Sequence, residues 1–270
     1  MQAQIAISSD NRNWYLLNAS PDLARQIEAF PALQPVARSR ETPIAAIVLT
    51  SADLDQILGL VLLRESQPLR VYSTPSIRKL LVENNIIFGM LRGQTTWDEI
   101  APGKDFELSS VDGTGSGVRC LPFPLGGKYP YYVGGGLAAS LAPCEALLGL
   151  QLNASKSGGR IVYMPAAPRV EESWMECLEN CDVLLFDGTF WSDDELIQVR
   201  GGGPTARQMG HIPLSGHGGS LELLSGLKRP RKLFIHVNNT NPILDEASTE
   251  YGQVRDAGWE VAVDGMEFDL

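Results

Sequence analysis

Residues 44–60 read IAAIVLTSADLDQILGL, and this stretch decides the fold class. Its first part, Ile44–Leu49, is a continuous apolar run, which is typical of a strand buried on both faces. Polar residues 50–56 follow directly, and the apolar spacing of Ile57–Leu63 then predicts a helix. A buried strand, a polar loop and a helix in this order indicate a layered α/β protein, in which the loop after the strand carries the chemistry.

The same alternation continues on both sides of this stretch. Further strands are predicted at residues 3–8, 14–18, 69–72, 105–108, 118–122, 146–153, 160–165, 183–186, 232–237 and 259–263. Further helices are predicted at residues 21–30, 75–83, 170–179, 220–227 and 246–257. The strands outnumber what one parallel sheet needs, so we expect an α/β (α+β) protein with two sheets and outer helices, formed by residues 1–270 as a single domain.

Composition excludes several classes of function. The 270 residues include 22 Lys and Arg against 32 Asp and Glu, a net charge of −10, which disfavours nucleic acid and anionic membrane surfaces as partners. Only three histidines are present, too few for a histidine-rich dinuclear hydrolase. The four cysteines show no CxxC spacing, so we expect them to be reduced and buried. Without a signal peptide or a long apolar run, a cytoplasmic location is predicted.

Two carboxylates follow the buried strand at close spacing. Asp53 and Asp55 lie two residues apart in the loop before the predicted helix, where both can reach one cation, with Gln56 beside them. Aspartates at a helix start also cap backbone N–H groups, and the spacing alone favours this second interpretation.

Three later segments add polar groups near strand ends. Asp187 leaves an apolar strand in LLFDGTF, where an Asp-Gly turn is an equal alternative. His211 lies in the loop GHIPLS, and His236 interrupts the apolar strand of FIHVNNTNP. A lone histidine in a strand is usually a hydrogen-bonded core residue, but the polar residues 238–241 that follow favour a polar site. His217 is expected in an exposed loop.

The order of these segments resembles a known family. NASPDL at 18–23, TSADLDQILGL at 50–60, LLFDGT at 184–189, MGHIPLSG at 209–216 and HVNNTNP at 236–242 are together similar to the coenzyme PQQ synthesis protein B family of the metallo-β-lactamase fold superfamily. The resemblance implies a metallo-β-lactamase-like αββα four-layer sandwich, with a site at the edge where the two sheets meet. The family's N-terminal zinc-binding segment has no counterpart here, so we expect no structural zinc.

The resemblance also implies roles for individual residues. The implied metal ligands are Asp53, Asp55, Asp187, His211 and His236. Asp55, His236 and Asp187 are the expected catalytic residues, and the expected substrate-binding residues are Asn238, Asn239, Asn18 and Gln56. Gln56 stands where the family has a histidine. Because a carboxamide oxygen is a weaker ligand for iron than imidazole, we expect the metal affinity to be lower by about tenfold or more.

The implied activity is a step in the biosynthesis of pyrroloquinoline quinone (PQQ). The family is similar to an Fe(II)-dependent hydroxylase that oxidises a tyrosine-derived PQQ precursor, and such iron sites take about three His and carboxylate ligands. Another divalent cation, or no metal, stays open. The alternative is a non-catalytic carrier of PQQ or its precursor, and a metal-dependent hydrolase is the least supported. The expected partner is the small precursor, with no nucleic acid and no membrane. We also expect a homodimer, in which a second copy covers an exposed sheet edge.

Overall fold

The computed structural model of the protein describes residues 3–35, 38, 41–63, 68–93 and 95–270. The chain forms two compact units, of which the first ends at Ser157 and the second spans Gly158–Leu270. In both units, parallel strands end in loops that carry polar side chains. The prediction of a single domain over residues 1–270 stays a prediction.

A five-stranded sheet is the main feature of the first unit. Its strands lie in chain order, and their bounds are β1 Ile5–Ile7, β2 Trp14–Leu17, β3 Ile44–Val48, β4 Leu69–Ser73 and β5 Thr95–Glu99. The first two predicted strands are confirmed as β1 and β2, which pair antiparallel with Ile5 opposite Leu17. The other neighbours in this sheet pair in parallel.

The stretch that decided the fold class occupies the centre of this sheet. All five residues of β3 are buried, as a strand covered on both faces requires. Apolar side chains from β2, β4 and the following helices pack with it into one core, which includes Leu16, Ile47, Val71, Ile77 and Leu81. The strand therefore holds the polar segment that follows it in a fixed position. The helix predicted over Ile57–Leu63 starts earlier, as α2 Leu54–Ile57, and continues as a 3₁₀ turn over Leu58–Leu63.

Strand β5 was not predicted from the sequence. Its residues read TTWDE, and none of them is buried. The strand lies at the end of the sheet order, where it pairs with β4 alone. Only Trp97 packs, partly buried, against the core, so the strand has no apolar period to reveal it.

The first unit ends in three antiparallel strands. These are β6 Phe106–Ser109, β7 Gly115–Pro124 and β8 Leu148–Ala154. The central strand β7 pairs with both neighbours. The Gly-, Pro- and Tyr-rich segment 125–134 follows β7 and includes a short 3₁₀ turn at Tyr131–Val133.

The second unit contains four parallel strands. In sheet order they are β12 Trp259–Val261, β11 Arg231–Ile235, β10 Val183–Asp187 and β9 Arg160–Met164. The strand β10 is buried along its whole length and lies between β9 and β11. Parallel neighbours bring their carboxyl ends to the same edge, so the loops after β9, β10 and β11 lie close together.

The helices are short. They are α1 Leu23–Ala29, α2 Leu54–Ile57, α3 Pro75–Arg78, α4 Ile86–Gly89, α5 Gly135–Ala138, α6 Glu172–Asn180, α7 Glu195–Arg200, α8 Ala206–Met209, α9 Ser220–Leu223 and α10 Thr249–Asp256. None of the helices in the described part of the chain has the length and apolar character that a membrane crossing requires.

The cysteines are all free thiols, as expected. Cys120 and Cys181 are buried, but Cys177 is half-buried and Cys144 is exposed. The expectation of four buried cysteines is therefore wrong for Cys144, which lies in the 3₁₀ turn Pro143–Glu145 rather than in a strand or core helix.

Gly59 lies in the 3₁₀ turn Leu58–Leu63 that follows α2, and it permits a close contact between this turn and the residues after β2. A Cβ atom at this position would lie 2.4 Å from Ser20 O and 2.9 Å from Ala19 C, both of them backbone atoms. The Gly59 N–H also donates to Ala19 O at 2.9 Å. Only a residue without a side chain brings the two segments this close.

We therefore expect Gly59→Ala to destabilise the protein by about 1–3 kcal/mol, because backbone has to move to relieve the overlap. The urea midpoint at constant m-value measures this change. Gly252→Ala is the matched control, since no atom lies within 4 Å of the added methyl in α10, and alanine there is expected to stabilise the helix by about 0.5–1 kcal/mol. A Gly59→Ala protein as stable as the parent would contradict the close-contact argument.

Candidate metal centre

Three of the predicted ligands meet in the second unit. Asp187 is the last residue of β10, and His236 follows directly after the neighbouring strand β11. His211 lies one residue after Gly210, which ends α8 in the left-handed conformation with φ 93°. Each of the three offers a ligand atom, and these atoms all lie within 4.8 Å of one another. We call Asp187, Thr189, His211 and His236 the histidine cluster.

The carboxylate of Asp187 is fully buried and accepts four hydrogen bonds. Oδ2 accepts from the Ala167 backbone N–H at 2.8 Å and lies 2.7 Å from Nδ1 of His211. Oδ1 accepts from the N–H and the hydroxyl of Thr189, at 3.0 and 2.5 Å. Asp187 thus makes far more contacts than an Asp-Gly turn needs, and the turn interpretation alone does not account for it.

These contacts favour the ionised carboxylate. Burial by itself raises the pKa of Asp187, but the charge and hydrogen bond of His211 outweigh it, with smaller contributions from His236 and Thr189. The pKa of Asp187 is therefore lowered from its ordinary value.

The hydroxyl of Thr189 connects the two imidazoles. Because it donates its only proton to Asp187, it accepts from Nδ1 of His211 and Nδ1 of His236, both at 3.1 Å. This pattern assigns a proton to Nδ1 of each ring, and a neutral imidazole protonated there keeps the Nε2 lone pair for a metal or a proton. Sequence reasoning missed Thr189, although a hydroxyl two residues after Asp187 is a common local hydrogen-bond partner.

His236 adopts a backbone conformation that the sequence did not reveal. The strand predicted over residues 232–237 ends at Ile235, and His236 has φ 55°, in the left-handed region. The predicted strand is therefore wrong at its end, because the chain turns there. Non-glycine residues in this region are uncommon and cluster at functional sites, which fits a side chain turned towards Thr189.

The asparagine-rich segment after His236 supports the cluster. The Asn241 side chain is buried, donates to the carbonyl of Gly188 at 2.9 Å and accepts from Ile243 N–H. The Asn238 side chain donates to the Thr240 hydroxyl at 2.7 Å, and Asn239 is exposed. Substrate binding by Asn238 and Asn239 stays a prediction, whereas Asn241 holds the loop that follows Asp187.

In the first unit, the predicted residues Asn18 and Gln56 lie together. The Gln56 carbonyl oxygen accepts from Asn18 Nδ2 at 2.9 Å, from the Thr50 hydroxyl at 3.0 Å and from the Ser51 hydroxyl at 3.1 Å. Asn18 is fully buried and, like His236, follows a strand with a positive φ, here 65°. We call Asn18, Thr50, Ser51 and Gln56 the amide cluster.

Asp53 and Asp55 lie beside this cluster in sequence. Asp53 occupies the N-cap position of α2, but its carboxylate makes no capping hydrogen bond, and Asp55 lies in the first turn. The capping interpretation, favoured by spacing, is thus wrong for Asp53. The hydroxyl of Tyr132 donates to Ala52 O, which brings the Tyr-rich loop onto this segment. Burial and the charge of Asp53 raise the pKa of Tyr132 to about 12.

The third histidine is not part of either cluster. The His217 side chain is fully exposed, at 101% of its reference area, and lies 3.5 Å from Glu222. The prediction that it occupies an exposed loop is confirmed.

The histidine cluster fits a divalent metal by its donor set. Two imidazoles and one carboxylate are the set of non-haem iron sites with open positions, and a similar set binds catalytic zinc.

Comparisons with known proteins agree with this fold. Residues 13–237 match the model of the β-lactamase superfamily domain. The chain is 42% identical to coenzyme PQQ synthesis protein B of Azotobacter vinelandii and 38% identical to that of Methylobacterium nodulans, in each case over 100% of this chain and 87% of the relative. A crystal structure of Zn²⁺-bound PqqB from Methylobacterium extorquens superposes with a TM-score of 0.89 at 38% identity, covering 99% of this chain and 87% of that one.

These similarities show that the chain is a protein of the β-lactamase superfamily. The predicted metallo-β-lactamase fold is confirmed. A diphosphatase of the PhnP family, with a TM-score of 0.66 at 19% identity over 99% of this chain and 84% of that one, shares the fold. Within the superfamily, the chain belongs to the coenzyme PQQ synthesis protein B family.

We expect Thr189→Val to lower the affinity for a divalent metal by about 10–100-fold, because both imidazoles lose the acceptor that orients them. Competition with a chromophoric chelator, using Zn²⁺ at pH 7.5, measures the affinity. Thr189→Ser, which keeps the hydroxyl, is the control and should stay within about threefold. Equal affinities of Thr189→Val and the parent would show that the hydroxyl does not orient the histidines.

We expect Asp187→Asn to destabilise the second unit by about 3–5 kcal/mol at pH 7, because an amide group replaces an acceptor that faces two donors. The ionised carboxylate stabilises the fold above its unfolded pKa of about 3.9, and this stabilisation is lost as the pH falls through the lowered folded value. The difference in urea stability should therefore shrink below about pH 4.

Asp269→Asn, at an exposed position, is the control for this substitution and should change stability by less than about 0.5 kcal/mol. A difference between parent and Asp187→Asn that grows towards low pH would contradict the assigned ionisation.

Proposed function

We propose that this protein acts in PQQ synthesis as a metal-dependent oxidase of a tyrosine-derived precursor. Its family membership supports the role in PQQ synthesis. The observation that carries the oxidase proposal is the histidine cluster, in which two imidazoles and a carboxylate offer ligand atoms within 4.8 Å of one another. Such a set would hold Fe(II) with coordination positions left open.

The proposed metal is Fe(II), held by His211, His236 and Asp187. When bound, the metal would supply the redox chemistry that no side chain of the cluster can provide. The related PqqB from Methylobacterium extorquens holds Zn²⁺, and zinc accepts the same donor types without changing its oxidation state. Asp53 and Asp55 stay predicted metal ligands.

The chain's own residues prepare the imidazoles for this role. Thr189 and Asp187 hold both Nδ1 atoms as donors, which leaves both Nε2 lone pairs available. Burial of Asp187 strengthens these hydrogen bonds, because the local dielectric is low. The cluster therefore presents two oriented nitrogen ligands before any metal arrives, and little reorganisation accompanies binding.

A second candidate is a carrier that binds PQQ or its precursor without turnover. The observation that favours it is the state of Gln56, whose carbonyl oxygen is fully engaged within the amide cluster. Because Gln56 offers no ligand atom, the chain has one metal ligand fewer than a family member with a histidine at this position. Under either candidate we propose the small precursor or PQQ as the ligand, a cytoplasmic location and a homodimer.

The test begins with protein purified without oxygen and loaded with Fe²⁺. We expect about one iron per chain, and oxygen uptake that depends on the tyrosine-derived precursor. His211→Ala and His236→Ala should each lower iron affinity by at least about tenfold and abolish the coupled uptake. His217→Ala is the matched control and should keep both, because its side chain is exposed.

Two results would decide against the oxidase. Iron binding that is unchanged in His211→Ala and His236→Ala would place the metal elsewhere. Stoichiometric iron without precursor-dependent oxygen uptake, together with micromolar binding of PQQ, would favour the carrier.

A further inference from the structure

The carboxamide of Gln56 is deeply buried and asymmetric in its contacts. Gln56 as a whole residue is 1% exposed. The carbonyl oxygen accepts from three donors, whereas the amide nitrogen is buried without a hydrogen-bond partner among the described residues. Buried donors are almost always satisfied, so an unpartnered one points to a ligand that completes it.

The backbone N–H of Thr50 determines, through Asn18, which atom of the Gln56 carboxamide is the oxygen and which is the nitrogen. The N–H of Thr50 can only donate, and it lies 2.9 Å from one side-chain atom of Asn18, which is therefore the oxygen. The other atom, Nδ2, consequently faces Gln56 at 2.9 Å, and the Gln56 atom that it meets is the carbonyl oxygen. Reversing the Gln56 carboxamide would set two NH₂ groups against each other.

The hydroxyl of Ser51 supports the same orientation. It accepts from the Asp53 backbone N–H at 3.0 Å, so its own proton is directed to Gln56 at 3.1 Å. The two lone pairs of the Gln56 oxygen are thus occupied by Asn18 and Ser51, with the Thr50 hydroxyl as a further donor. No lone pair is left for a cation, and the group that stays available is an N–H donor.

We propose that Gln56 is not a metal ligand and that its amide nitrogen donates a hydrogen bond to an oxygen acceptor of the substrate. The expectation that Gln56 is a weak oxygen ligand for iron is thereby replaced. The ligand chemistry that suits this donor is a carboxylate or a quinone carbonyl oxygen. The proposal rests on the proposed function for the identity of the ligand, but it requires no turnover.

The test uses the full chain and measures binding of PQQ to metal-free protein by quenching of tryptophan fluorescence at pH 9. Gln56→Glu keeps the oxygen that Asn18 and Ser51 need and replaces only the NH₂ group. The donors from Asn18, Thr50 and Ser51 favour the ionised form of the introduced carboxylate. We expect PQQ affinity to fall by about tenfold or more, because an acceptor then faces an acceptor.

Gln253→Glu is the matched control, since this residue is exposed on α10 and introduces the same charge. Its PQQ affinity should stay within about twofold of the parent.

Oxidised PQQ and its reduced quinol share their carboxylates but differ in the quinone oxygens. An equal loss with both would assign a carboxylate as the acceptor, and a loss confined to oxidised PQQ would assign a quinone carbonyl.

A second variant tests the metal part of the proposal. Gln56→Met removes both polar ends without adding charge, and Fe²⁺ affinity measured without oxygen should stay within about twofold of the parent, as no ligand is lost. Thermal unfolding of each variant confirms that the fold is retained.

Three outcomes would overturn the proposal. These are a tenfold fall in Fe²⁺ affinity in Gln56→Met, unchanged PQQ affinity in Gln56→Glu, and absence of PQQ binding by the parent protein. Missing oxygen uptake with intact Gln56-dependent PQQ binding would instead reject the oxidase and leave this proposal standing.

Discussion

A buried carboxylate, that of Asp187, is the constraint on which the arrangement of the histidine cluster depends. An ionised group without access to water must be surrounded by donors. Asp187 obtains them from three places in the chain: Ala167 after β9, Thr189 after β10 and His211 after α8. Satisfying one side chain therefore holds three loops at the same edge of the parallel strands, and His236 joins them through Thr189.

The first unit also buries polar side chains, but these are neutral amides rather than a carboxylate. Asn18 and Gln56 are both buried. Asn18 satisfies both ends of its carboxamide with Thr50 and Gln56, whereas Gln56 satisfies its carbonyl oxygen with Asn18, Thr50 and Ser51. In both units a polar residue with positive φ directly follows a buried strand, Asn18 after β2 and His236 after β11. Asparagine and histidine are among the residue types that tolerate this conformation best, so chemistry and backbone requirements select the same residues.

Much of the fold could be predicted from the sequence, because burial leaves a pattern there. The continuous apolar runs of β3 and β10 identify strands covered on both faces, and the structure has them within one residue of the prediction. Strand β5 leaves no such pattern, since none of its residues is buried. The end of β11 was misplaced because the sequence gives no sign that His236 adopts a left-handed conformation rather than extending the strand.

The candidate centre was only partly accessible in the same way. Residue type and position after a strand indicated Asp187, His211 and His236. The role of Thr189 depends on where its single proton goes, which follows from distances to three side chains and not from spacing. The asparagine-rich segment looked like a ligand surface, yet Asn241 serves the backbone of the preceding loop. For Gln56, residue identity suggested an oxygen ligand, and only its contacts show that this oxygen is engaged.

All four residues of the histidine cluster come from the second unit, within residues 187–236. Metal binding and folding of that unit are therefore thermodynamically linked, because any ion that binds the native cluster and not the unfolded chain shifts the folding equilibrium. The reverse also holds: a remote substitution that loosens this unit lowers the apparent affinity for the ion without touching a ligand. Metal content in the cell would then report on the folding state of the second unit as well as on metal supply.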